Sequence, residues 1–187
     1  IFFSADGREI ETLLVTSPSV RAGKTFTVAQ LGLTIVASGR RVIMVDADLR
    51  KPALHELFEL PNLLGLSELL AGDAPLGGLD WPRGVQETGV EDLYLLPGGK
   101  PPLDPGWLLA SPRAAEVFDV LRKWADVILI DSPPGLAAPD AQVLSTAADG
   151  TILVVSAGTT SRSETLRTKE RLAGQDGTRL LGVAFNR

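Results

Sequence analysis

The sequence predicts an α/β fold: a mostly parallel central sheet with helices on both faces. Three observations carry this. Short uninterrupted apolar runs, such as Val42 to Val45 and Val127 to Ile130, suit strands buried on both faces. Helix-like segments alternate with those runs along the chain. Two of the runs end in an aspartate, Asp46 and Asp131, so acidic side chains fall at carboxyl ends of strands, where open α/β sheets form their ligand crevice.

The elements follow in order. Residues 11–17 form the first strand, and residues 24–38 a helix stopped by Gly39. Residues 41–46 are the second strand. Residues 51–72 read as short helices broken by Pro61, Gly65 and Gly72. Residues 73–91 are rich in Gly and Pro and read as a surface excursion without periodicity. Leu93 to Leu96 is a short strand closed by Pro97-Gly98-Gly99. Three prolines keep residues 100–106 extended. Residues 107–124 are helical, with Ser111 and Pro112 as N-cap and first position of a second part. Residues 126–131 are a buried strand, followed by the rigid turn Ser132-Pro133-Pro134-Gly135. A helix over 139–147, a strand over Gly150–Ser156, a charged amphipathic helix over Ser161–Ala173 and a strand over 179–185 complete the chain. There is no internal repeat or linker, so residues 1–187 are expected to form a single domain.

Composition narrows the chemistry. The 187 residues contain no cysteine, which excludes disulfides and thiol chemistry and fits a reducing compartment. One histidine excludes a histidine-rich metal site, so any metal is a hard cation on oxygen ligands. The net charge of −5 argues against nucleic acid as a partner of the whole chain. No apolar run reaches the roughly 20 residues that span a bilayer, and Ile1-Phe2-Phe3 lacks the basic leader of a signal peptide.

The stretch Glu11 to Thr27, ETLLVTSPSVRAGKTFT, has the strand–loop–helix order of a phosphate-binding loop. There, backbone N–H groups of Val20, Arg21, Ala22 and Gly23 face an anion, Lys24 reaches the outer phosphates and the Thr25 hydroxyl ligates magnesium. Phe26 adjoins the same loop. Pro18 stands where the usual pattern has its first glycine. Asp46-Ala47-Asp48-Leu49-Arg50 and Asp131-Ser132-Pro133-Pro134 each follow a strand. Thr25 is the expected metal ligand, with Asp131 acting directly or through water. Asp46 or Asp48 then supports the metal site, or orients or deprotonates an attacking hydroxyl. Each aspartate has a plainer reading as a helix N-cap. The conjunction of loop and acidic strand ends marks a P-loop NTPase. Elsewhere the plain readings dominate: His55 near the surface, Tyr94 in the core, and Trp81 and Trp124 in packing, with Trp107 the best candidate for an exposed contact.

The pieces VIMVDADLRKPALHELF, GLSELLAGDAPL, LYLLPGGKPPLDPGWLLASPRAAEVFDVLRKWADVILIDSPPG and DGTILVVSAGTTSRSETLR resemble the cytoplasmic kinase domain of bacterial tyrosine kinases (BY-kinases) of capsule and exopolysaccharide assembly. The resemblance implies an ATP-dependent, magnesium-requiring autokinase. Asp46-x-Asp48-Leu49-Arg50 corresponds to its second Walker motif and Asp131 to its Walker B acid. Lys24, Asp46, Asp48 and Asp131 are then catalytic, with Thr25, Asp46 and Asp131 at the metal and Asn186 and Arg187 near the adenine. By the same resemblance the partners are tyrosine-bearing tails of neighbouring subunits in a ring and a membrane adaptor or polysaccharide co-polymerase, and the site of action is the cytoplasmic face of the membrane. The chain departs from the family where Val20-Arg21-Ala22 replaces Pro-Gly-Glu, and where Trp107 replaces a glutamate. The family's amino-terminal helix and carboxy-terminal tyrosine cluster are not recognisable, so a catalytic-core fragment or a member with reduced tails is expected. The alternatives are a P-loop ATPase switch of the cell-division and DNA-partition type, and a nucleotide-binding regulator of polysaccharide export with weakened chemistry. Ser19, at the position of the switch proteins' extra lysine, counts against the first.

Overall fold

The computed structural model describes residues 10–72, 76, 82–174 and 177–186. Seven strands form one sheet in the order β3-β4-β2-β5-β1-β6-β7. They are β1 (Thr12–Thr16), β2 (Val42–Asp46), β3 (Gln86–Glu87), β4 (Leu93–Leu96), β5 (Val127–Asp131), β6 (Gly150–Ser156) and β7 (Leu180–Asn186). All pairings are parallel except β3 with β4. The helices are α1 (Lys24–Val36), α2 (Leu54–Leu57), α3 (Leu66–Ala71), α4 (Pro105–Leu109), α5 (Pro112–Arg122), α6 (Asp140–Ala147) and α7 (Arg162–Ala173).

The central strands bury both faces, as their unbroken apolar runs require. Alternation then sorts their side chains. Leu14, Ile43, Val45, Ile128 and Ile130 pack on one side with residues of α3, α4, α5 and α6. Leu13, Val15, Met44, Leu95 and Leu129 pack on the other with Val28 and Ile35 of α1 and Leu54 of α2. Gly32 lets α1 approach closely, since a Cβ there would come 3.0 Å from Leu93 Cδ1 and 3.1 Å from Met44 Sδ.

Two expectations change. The excursion after residue 72 is not wholly superficial: Leu76 and Val85 enter the core, and Gln86–Glu87 adds an antiparallel edge strand. The segment 100–106 does not stay extended to its end. Pro105 opens α4, because proline suits a first helical turn and Asp104 Oδ1 accepts the Trp107 N–H at 3.0 Å. Ser111 does stand before α5, but its hydroxyl donates back to Leu108 O at 2.7 Å instead of capping the new helix. Tyr94 packs against the core as expected, and Trp107 is 70% exposed. His55 is half-buried, with Nδ1 lacking a partner among the described residues. Trp81 and residues 1–3 lie outside the described residues.

Candidate active site

The loop after β1 is tied down from both sides. Thr16 Oγ1 donates to Pro133 O at 3.1 Å, Ser132 Oγ donates to Val15 O at 3.0 Å, and Gly135 N donates to Ser17 O at 2.8 Å. The turn after β5 thus fixes the start of the loop. At its far end Gly23 takes φ 87 as the residue before α1. That left-handed turn suits glycine, and a Cβ there would also overlap Asn186 Nδ2. Thr27 N and Oγ1 both bond Gly23 O, at 2.9 and 2.8 Å, which closes the first helical turn. Arg21, which stands where the family pattern has glycine, adopts φ 60, a left-handed backbone.

Lys24, the first residue of α1, is 8% exposed. Burial lowers its pKa, while the opposing charges of Asp131 and Asp48 raise it. Asp46 and Asp131 are register partners at the ends of β2 and β5, so their side chains leave the sheet on the same face. Both are buried. Desolvation raises the Asp46 pKa to about 8, with repulsion from Asp131 adding to it. Desolvation raises the Asp131 pKa to about 7, opposed by a hydrogen bond from the Thr25 side chain and by the Lys24 charge. Asp48 is half-buried and also raised, chiefly by desolvation.

The capping reading holds for one oxygen of Asp46. Its Oδ2 accepts from Ala53 N at 2.8 Å and Leu54 N at 2.9 Å, holding the start of α2. Its Oδ1 is buried without a partner, as is Oδ1 of Asp131. Native interiors rarely leave such acceptors unmet. Two carboxyl oxygens with unused lone pairs, with the Thr25 hydroxyl bonded to Asp131, are a hard-oxygen donor set of the kind magnesium takes once the carboxyls ionise.

The structure therefore brings together Lys24, Thr25, Asp46, Asp48 and Asp131. Ala22 is buried, whereas Val20 and Phe26 are 65% and 56% exposed. Arg21, Gly23, Lys24, Thr25 and Phe26 line a cavity of about 330 Å³ with Ala53, Glu56 and Leu57 of the α2 segment. Asn186 ends β7 beside the loop, its Nδ2 donating to Ala22 O at 3.2 Å. Arg187 lies outside the described residues. Among the described residues, no group of three or more His, Asp and Glu side chains is placed to hold a metal ion by itself.

One pair was not foreseen. Arg50 Nε donates to Asp140 Oδ2 at 2.9 Å and Nη2 to Oδ1 at 3.2 Å, a bidentate ion pair across the crevice mouth. Asp140 is fully buried at the start of α6. Arg50 was visible within the Asp46–Arg50 motif, but Asp140, 90 residues away, carries no local signal.

No helix among the described residues is long and apolar enough to cross a membrane. No protein-family model matches the chain. The tyrosine-protein kinase YwqD of Bacillus subtilis is 34% identical over 186 residues, covering 100% of this chain and 76% of that protein. The kinase domain of the Escherichia coli tyrosine kinase ETK superposes with a TM-score of 0.87 at 30% identity, over 95% of this chain and 67% of that one. The septum site-determining protein MinD of Pyrococcus horikoshii, solved with Mg-ADP, follows at 0.77 and 28% identity, over 95% and 70% of the two chains. The sheet and loop are those of a P-loop NTPase, and within that fold the chain belongs to the bacterial tyrosine-protein kinase family.

Proposed function

We propose that this chain transfers the γ-phosphoryl group of ATP to tyrosine hydroxyls of proteins, in the control of capsular or exopolysaccharide synthesis and export. The observation that carries it is the convergence of Lys24, Asp46, Asp48 and Asp131 on one end of the sheet, beside a loop with the phosphate-binding pattern. The backbone N–H groups of residues 20–25 cradle the phosphates, and the Lys24 ammonium neutralises their outer oxygens. Thr25 and Asp131, with the free Oδ1 of Asp46, hold magnesium, which when bound offsets phosphate charge. Asp48, less buried than its neighbours, accepts the phenolic proton. The phenolate oxygen bonds to the γ-phosphorus, the bond to the β–γ bridging oxygen breaks, and ADP departs with that electron pair. Asn186 and Arg187 approach the adenine.

Tyr94 is the only tyrosine in the 187 residues. It sits in β4 against the core, so the acceptor is a tyrosine outside this stretch, on a neighbouring copy in a ring or on another protein. Residues 1–187 act as one catalytic domain, working at the cytoplasmic face of the membrane through an adaptor.

The likeness to MinD favours one second reading, an ATP-driven switch that hydrolyses ATP without phosphorylating tyrosine. Incubation with ATP, magnesium and a tyrosine-rich peptide separates the two. Phosphotyrosine that disappears with Lys24→Met is the expected result. ATP hydrolysis without labelled peptide overturns the kinase proposal in favour of the switch.

A further inference from the structure

We propose that Arg21 is a second phosphate-binding cation of this loop, contacting the phosphate chain of the bound nucleotide beside Lys24. The inference rests on the proposal that the loop binds nucleoside polyphosphates.

The backbone points to it first. Arg21 is one of three non-glycine residues at positive φ among those described, with Glu59 and Asp92. A side chain with a Cβ is disfavoured there and glycine is not. Strain of this kind, when it sits in a ligand loop, is a pointer to function.

Partners are the second argument. Arg41, Arg50, Arg113 and Arg122 each hold a carboxylate. Arg21 has no hydrogen bond or ion pair among the described residues. Its side chain instead lines the cavity of about 330 Å³ with Lys24, Thr25 and Phe26, facing Glu56 and Leu57. The segment Ser17–Gly23 contains no acid, so Arg21 is its one charged residue.

Charge is the third. The other cation on the cavity wall, Lys24, is buried and already faces Asp131 and Asp48. A polyanion entering here meets the Glu56 carboxylate on the cavity wall and a lysine already engaged by Asp131 and Asp48. The unengaged guanidinium shifts that balance, and its planar fork matches two phosphate oxygens at once.

The alternative is a tolerated substitution pointing to water, and the two predict opposite outcomes for Arg21→Gly. Glycine fits φ 60, so the variant folds, and its ligand-free thermal midpoint rises. ATP affinity, measured by equilibrium titration in EDTA and again with magnesium, weakens by about tenfold, as loss of one charged hydrogen-bonding group implies. Arg21→Lys keeps part of the affinity, and the salt dependence of binding is shallower in Arg21→Gly than in the parent. Affinity for Arg21→Gly within twofold of the parent, or tighter, overturns the proposal while the loop reading stands, provided Lys24→Met abolishes binding. A parent chain that binds no ATP overturns both.

Discussion

The ligand-free chain loses stability as pH rises from 5 to 8, and Asp46 is the main reason. Its carboxyl keeps a proton in the folded chain to about pH 8, because burial beside Asp131 penalises the anion. In the unfolded chain the same group ionises near the ordinary value of 3.8. Between those limits the folded state binds more protons, so the stability is fully present below the lower value and is lost as pH rises through the upper one. At roughly 1.4 kcal/mol per unit, Asp46 alone accounts for about 4 kcal/mol between pH 5 and pH 8. Asp131 moves the same way, but the two share one repulsion and their effects do not simply add. Asp46→Asn isolates the effect. An amide oxygen still accepts from Ala53 N and Leu54 N, and the amide carries no charge at any pH in this range. Urea unfolding in EDTA at pH 5, 6, 7 and 8 then gives a slope about half that of the parent, with the variant the more stable chain at pH 8. A parent whose stability is flat or rises over this range refutes the reasoning, as does a variant that keeps the full slope.

Three other outcomes are expected. Gly23→Ala places a Cβ on Asn186 Nδ2 at φ 87; it costs about 1–2 kcal/mol in urea unfolding and weakens ATP binding in the same titration. Arg50→Ala leaves the buried Asp140 carboxylate unpaired and costs about 1–3 kcal/mol, whereas adding Asp140→Asn recovers much of that loss, a coupling that a double-mutant cycle reads directly. Phe118→Ala empties a fully buried position of α5 and costs about 3–5 kcal/mol by denaturant unfolding, with phosphotyrosine formation retained below the new melting temperature.

The sequence announced the parts of this molecule whose signals are local. Unbroken apolar runs marked β2 and β5, and the aspartate closing each run marked a strand's carboxyl end. GKT marked the loop. That Arg21 departs from the family's glycine was legible through the resemblance, but its φ of 60 came only with the structure. What escaped depends on distance. β3 is two residues long and exists because β4 offers it an edge, so no periodicity precedes it. The bidentate grip of Asp140 on Arg50 joins residues from different strand ends, and only the sheet order brings them together. The double duty of Asp46, one oxygen capping α2 and the other left open, needed the fold of residues 47–54 before it was visible.

The strand order divides the crevice between two kinds of support. Asp46 and Asp131 stand on β2 and β5, each flanked on both sides by other strands. Asn186 stands on β7, at the sheet margin among the described residues, where Val183 and Phe185 are 46% and 80% exposed. Opening β7 sacrifices one ladder, that with β6, whereas displacing either aspartate means breaking the middle of the sheet. Backbone amides of β7 therefore exchange with solvent long before those of β2 and β5, and the Asn186 contact to Ala22 is released in the same event. Fluctuations at that margin reach the phosphate loop through the Asn186 side chain while the carboxylates stay in place. If the proposed function holds, nucleotide exchange and phosphoryl transfer draw on separate reserves of rigidity, and substitutions in β7 are expected to alter how long a nucleotide stays more than how fast it reacts.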